Sequence, residues 1–240
     1  MKQNASEDEP ASFSALKDDT RFSDSPAREI RRNYLFVTGI IHTRCGSTVR
    51  FEGPLERNFY QCVDAFDFDV IEVRHQPVCI SYVDSKGRSR RYYPDALVTY
   101  ADSSKRAPTL YEIKETGDYQ KNRSELDMKF AAGRAYCEKM GWEFQVATEK
   151  TIRTPRLENA VFLRAYRNRP YDEVLARRLV RVVEADPGLP AWKLANVEGN
   201  EPATVALCWG TLWALVARGV LHLDPERPIT RNTAVRTPRR

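Results

Sequence analysis

Asp95 sits in the apolar stretch YYPDALVTY, residues 92–100, and Glu112 and Lys114 stand two apart in TLYEIKETGDYQK, residues 109–121. Residues two apart in a strand face the same way. Glu112 and Lys114 therefore share one face, while Tyr111 and Ile113 turn to the other, into the core. Proline is tolerated at the first residue of a strand, so Pro94 predicts Asp95 at the start of a strand running from Ala96 to Tyr100. If the two strands pair, Asp95 and Glu112 converge on one spot. Two carboxylates and a backbone carbonyl are hard oxygen ligands, which suit Mg²⁺. A lysine beside such an ion can orient or help deprotonate an attacking water, or steady a charged phosphate. The ion itself lowers the water's pKa and offsets charge on the scissile phosphate.

An acid after proline with E-x-K downstream is a cheap pattern in a chain that is 30% charged. Three features give it weight. Apolar flanks mark both stretches as strands, and a helical pattern follows Lys114. The third feature is an upstream acid, Glu56. Pro54 suits the first turn of a helix, where its missing N–H costs nothing. Leu55, Phe59, Cys62, Val63 and Phe66 then recur at helical spacing. At about 100° per residue, Glu56 falls roughly 60° from Phe59, at the border of the buried stripe, where an acid can reach a neighbouring sheet. Glu52 is its rival but precedes Pro54 and is expected outside the helix.

The elements around these residues predict an α/β core. NYLFVTGII (33–41) reads as a strand. VIEVRHQPVCISYV reads as strand broken by Pro77, and SRRYYPDALVTY follows the turn DSKGR. APTLYEIKE is the next strand. A helix is expected over about 121–140, ending at Gly141, then a strand over 142–148 and a helix over 155–167. Beyond it, YDEVLARRLVRVVE (171–184), LPAWKLAN and EPATVALCWGTLWALVARG read as three helices, the last with Gly219 in the C-cap position. VLHLD then reads as a strand, which suggests a small winged-helix-like domain. The last of the three helices is strongly apolar, so core packing or protein contact suits it better than base readout. Trp209 and Trp213, four apart on one face, read as core.

The order helix-Glu, then P-D, then E-x-K is the PD-(D/E)xK nuclease pattern. LERNFY, HQPVCISY, RRYYPDALVTY and LYEIK, with GWEFQVATEKTIR behind them, resemble the TnsA endonucleases of heteromeric bacterial transposons. The resemblance covers about residues 45–167, and the trailing helical domain agrees with that family's two-domain layout. It implies a restriction-endonuclease-like mixed sheet flanked by helices, with a winged-helix-like C-terminal domain. It implies Glu56, Asp95 and Glu112 as Mg²⁺ ligands, with Mn²⁺ as a substitute, and Lys114 as the motif lysine. It also implies cleavage at the 5′ ends of a transposon, on the strand its partner transposase leaves uncut. The implied partners are double-stranded transposon-end DNA, a TnsB-like DDE transposase and a TnsC-like AAA+ regulator. Gln76, in a QP pair, reads as structural support. The rival readings are a restriction or junction-resolving nuclease on the same fold, and a non-catalytic nuclease-fold adaptor.

Domain expectations are a flexible acidic tail over 1–29, the nuclease domain over 30–168, the winged-helix-like domain over 169–224 and a flexible basic tail over 225–240. Residues 1–29 hold seven Asp/Glu against four Lys/Arg, and 225–240 hold five arginines and three prolines. The formal net charge of +5 permits nucleic-acid binding without requiring it. Residues 152–169 carry five arginines and one acid, a pattern equally suited to phosphate contact and to a solvated helix face. Arg90 and Arg91, just ahead of Asp95, are the preferred candidates for DNA phosphate.

Five cysteines at wide spacings, without a CxxC pair, predict reduced, buried thiols. Three histidines far from them argue against structural zinc. The N-terminus lacks an apolar run of signal-peptide type, and the sixteen-residue apolar stretch 202–217 is shorter than the roughly 20 residues that span a bilayer. The expectation is a bacterial cytoplasmic protein without membrane contact.

Overall fold

A computed structural model describes residues 26–28 and 37–238. The expected acidic tail lies almost wholly outside the described residues, as does the start of the expected strand 33–41. The described elements open with a hairpin of β1 (Gly39–His42) and β2 (Thr48–Phe51), then α1 (Pro54–Phe66). β3 (Val70–His75), the hairpin β4 (Ile80–Val83) and β5 (Ser89–Tyr92), β6 (Ala96–Tyr100) and β7 (Thr109–Ile113) follow. Two helices, α2 (Thr116–Lys121) and α3 (Arg123–Met140), lead to β8 (Glu143–Ala147). Then come α4 (Glu149–Ile152), α5 (Pro155–Arg164), α6 (Glu173–Ala185), α7 (Ala191–Ala195) and α8 (Pro202–Ala217).

The central sheet has four strands in the order β3-β6-β7-β8. β3 with β6 and β6 with β7 pair antiparallel, and β7 with β8 parallel. Both faces are covered, which is why these strands read as nearly continuous apolar runs. On one face Leu55, Phe59, Tyr60 and Val63 of α1 pack on Val73, Val98 and Ile113. On the other, Leu97 and Leu110 meet Cys137 of α3 together with Ile80 and Tyr92 of the β4–β5 hairpin.

The helix expected over about 121–140 is α3, ending at Gly141 as expected, and a short helix not expected, α2, precedes it. Asn122 separates the two, with φ −116° and a side-chain amide that donates to the Asp118 carbonyl. Such a local side-chain bond competes with the helical ladder. Gly141 (φ 67°) closes α3 in the left-handed conformation, and its own N–H and that of Trp142 bond back into the last turn. α5 stops at Arg164, short of the expected 167.

The C-terminal unit has its own core of Leu175, Leu179, Val183, Leu194, Leu212 and Leu215. Asp172 caps α6 by accepting the Val174 and Leu175 amides, and Glu201 caps α8 by accepting that of Thr204. The stretch VLHLD forms only a single bridge, His222 with Arg236, and a second bridge joins Pro190 to Ala234. Three short extended segments thus lie side by side against three helices, in a winged-helix-like arrangement.

The expected flexible tail at 225–240 is a correction. Through residue 238 it packs back on the fold, with Val235 fully buried and Ile229 against the core. Asn159 of α5, itself buried, holds it. Its Nδ2 donates to the carbonyls of Pro225 (2.9 Å) and Arg227 (2.8 Å), and its Oδ1 accepts the Ile229 amide (3.0 Å). The arginine and proline count that suggested a loose tail is outweighed by two apolar anchors and one polar clamp. The expectation for the cysteines also needs correcting at two positions: all are free thiols, but Cys79 is exposed and Cys45 only partly buried. Among the described residues, no helix is long and apolar enough to cross a membrane.

Candidate active site

Asp95 is fixed from every side by the two strands flanking its own. Its N–H donates to the Tyr111 carbonyl, and its carbonyl accepts from the Gln76 amide and the Tyr60 hydroxyl, all at 3.0 Å. Its Oδ2 accepts the Ile113 amide at 2.6 Å. Ala96 pairs with Tyr111, so the next step of the ladder sets Asp95 opposite Glu112, the face relation expected from the alternation of the strands. Asp95 keeps some exposed surface, but its carboxylate is turned inward. Burial, and then the charge of Glu112, hold its carboxyl well above the usual carboxylate range.

Glu112 is 5% exposed in the body of β7. Its Oε2 accepts the Tyr92 hydroxyl at 2.8 Å, and its Oε1 stands 3.8 Å from Lys114 Nζ. Burial raises its carboxyl, against the pull of Lys114 and of the Tyr92 hydrogen bond. Lys114 follows β7, anchored by its amide on the Ala147 carbonyl of β8 (3.0 Å), with a third of its side chain open to solvent.

Glu56 enters from α1. Gly53 caps the helix and Pro54 opens its first turn, so Glu56 lies where free amides and the helix dipole favour a negative charge. Its Oε2 accepts the Glu52 amide at 2.8 Å. Burial pushes its carboxyl up to about 7, Asp95 adds to the rise, and Lys114 opposes it. Glu56, Asp95, Glu112 and Lys114 thus share one electrostatic field at one end of the sheet. Glu52 stands outside the helix, as its place before Pro54 suggested, and pairs with Arg28 at 2.7 Å. Among the described residues, no three His, Cys, Asp or Glu side chains form a ready metal cage. The chemistry of the set is that of a divalent-cation site: three carboxylates whose ionisation is opposed chiefly by burial, with the Lys114 ammonium to offset them.

Gln76 is buried and adopts a left-handed backbone (φ 43°), unusual for a non-glycine residue. Its N–H reaches Asp95 and its carbonyl accepts the Ala27 amide at 2.9 Å. The QP pair thus supports Asp95 through the main chain. Tyr60 and Tyr92 are parts that sequence reasoning missed. Each looked like an ordinary apolar residue of its element, and only the packed structure shows what its hydroxyl touches.

The basic residues fare differently from one another. Arg90 lies 3.0 Å from Asp84, which also holds Arg88. Arg91 is exposed on β5, paired with Ser81 across the hairpin. Of the arginines in 152–169, Arg153 pairs with Glu115, Arg156 with Asp67 and Glu226, and Arg167 with Asp64. Most of that run holds the molecule together.

A mixed sheet with an acid after proline at one strand start, E-x-K on its neighbour and a helix glutamate above them defines a nuclease fold of the PD-(D/E)xK superfamily. Residues 67–149 match the family described as TnsA-like endonuclease N terminal, and that match supports a nuclease domain related to TnsA. The match takes in Asp95, Glu112 and Lys114 and leaves Glu56 outside it. No curated protein matches the chain.

Proposed function

We propose that this protein is a Mg²⁺-dependent DNA endonuclease that cleaves the 5′ ends, the non-transferred strand, of a transposon during cut-and-paste transposition. The observation that carries the reading is Asp95 opposite Glu112 on paired strands, with Lys114 on the same face, inside the segment that matches TnsA-like endonucleases. Glu56, Asp95 and Glu112 would hold the cation, with Mn²⁺ able to replace Mg²⁺. When bound, the cation supplies an acidified water and offsets charge on the scissile phosphate.

The chain's own groups do the rest. Main-chain bonds on both sides fix Asp95, so its free oxygen keeps one direction. The Lys114 ammonium, held beside Glu112, faces charge that grows on the phosphate oxygens. Arg91, exposed on β5, suits a phosphate contact, and Arg90 offers a charge already shared with Asp84. The substrate would be double-stranded transposon-end DNA, and the partners a DDE transposase and an AAA+ regulator.

The test is a nicking assay on transposon-end DNA with Mg²⁺, with and without the cognate transposase. Asp95→Ala should lose at least about 10³-fold in rate while remaining folded. Wild-type nicking by Asp95→Ala would overturn the site. Cleavage without the transposase would replace the transposon role with that of an independent nuclease.

A further inference from the structure

We infer that Tyr92 is a positioning residue for the reaction: its hydroxyl holds one oxygen of Glu112 and so fixes the orientation in which Glu112 meets a cation. The inference rests on the proposed nuclease site and extends it to a residue at the end of β5. Tyr92 is 4% exposed, and its ring is packed among Ile80, Leu97, Leu110 and Cys137. A ring held on so many sides places its hydroxyl at a fixed point. At that point stands Glu112 Oε2, 2.8 Å away.

A phenol can donate one proton and is neutral at ordinary pH. Here it donates to a carboxylate that is itself buried. Glu112 therefore has one oxygen engaged and the other, Oε1, aimed toward Lys114. Without the hydroxyl, a glutamate with three side-chain torsions is free to take other orientations. Lys129 of α3 also exerts its charge on Glu112. Tyr92 settles that choice before any ion arrives, and preorganised ligands of this kind bind more tightly. The same bond ties the β4–β5 hairpin, with Arg90 and Arg91 on it, to the strand that carries Glu112 and Lys114.

The experiment compares wild type, Tyr92→Phe, Glu112→Gln and the double variant. Mn²⁺ affinity is read by electron paramagnetic resonance titration without DNA, and nicking is read with Mg²⁺. Tyr92→Phe keeps the packed ring, so its unfolding temperature reports whether the fold is intact. The expected result is Mn²⁺ binding weaker by roughly 10- to 100-fold, the usual effect of removing a partner of a metal ligand. Nicking should fall with it, and the substitution should change little further in the Glu112→Gln background. Wild-type Mn²⁺ affinity and nicking in Tyr92→Phe would overturn the inference, as would an equal loss in the Glu112→Gln background. Asp95→Ala, run beside them, separates the levels. If it binds Mn²⁺ as wild type does, the site itself is misassigned; if it loses Mn²⁺ while Tyr92→Phe does not, only the role of Tyr92 fails.

Discussion

Glu56→Gln should make the metal-free protein more stable at alkaline pH. Burial and Asp95 raise the Glu56 carboxyl from 4.5 to about 7. Below the lower value both folded and unfolded chains carry the proton, and the residue costs nothing. Between the two values the unfolded chain ionises while the folded chain keeps its proton, so stability falls as pH rises. Above the upper value both are ionised and the full cost stands. That rise corresponds to roughly 3 kcal/mol, and water reaching this half-buried position brings it to roughly 2 kcal/mol.

Glutamine keeps an oxygen to accept the Glu52 amide but carries no charge. For a chain of this size, roughly 2 kcal/mol is about 4–8 °C in unfolding temperature. Scanning calorimetry in a chelator at about pH 4 and about pH 8 reads it directly. The variant should match wild type at the lower pH and exceed it at the higher. Mg²⁺ should then raise the wild-type temperature more than that of the variant. An equal or lower unfolding temperature for Glu56→Gln at the higher pH would refute the idea that burial opposes ionisation here.

Two substitutions test how the C-terminal unit is mounted. Asn159→Ala strands two carbonyls and one amide that the side chain now satisfies. It should cost about 2–4 kcal/mol and speed hydrogen exchange over residues 225–236 more than elsewhere, as mass spectrometry would show. Gly219→Ala forces a left-handed position (φ 74°) and sets a methyl 2.4 Å from the Phe68 ring. It should cost about 1–3 kcal/mol in thermal unfolding and disturb the stacking of Phe68 on His222.

The placing of Asp95, Glu112 and Lys114 along β6 and β7 and at their ends was legible because each of its signals is local. Pro94 marks a strand start, alternation sets Glu112 and Lys114 on one face, and apolar flanks identify the strands. Glu56 was legible only to the border of a helix stripe. Where that border points depends on how α1 lies across the sheet, and this is fixed by contacts such as Phe59 on Tyr111, with ring centroids 4.8 Å apart. The hydroxyls of Tyr60 and Tyr92 were not legible at all. They act through partners 35 and 20 residues away, and no spacing rule links such pairs.

A run of five arginines in eighteen residues suits a polyanion and a solvated helix face equally, because a cation in a sequence has no direction until its acids are placed. Arg167 finds Asp64 in α1, and Arg156 finds Asp67 just beyond it and Glu226 in the C-terminal segment. Arg218, after α8, caps the carbonyls of Arg167 and Arg169. These bonds join the two units, with Leu163 of α5 buried in the C-terminal core. The helix carrying much of that charge is therefore the element through which the two units meet. The exposed side chains left over after such pairing, Arg91 on the hairpin that Tyr92 ties to Glu112 among them, are where a search for bound phosphate should begin.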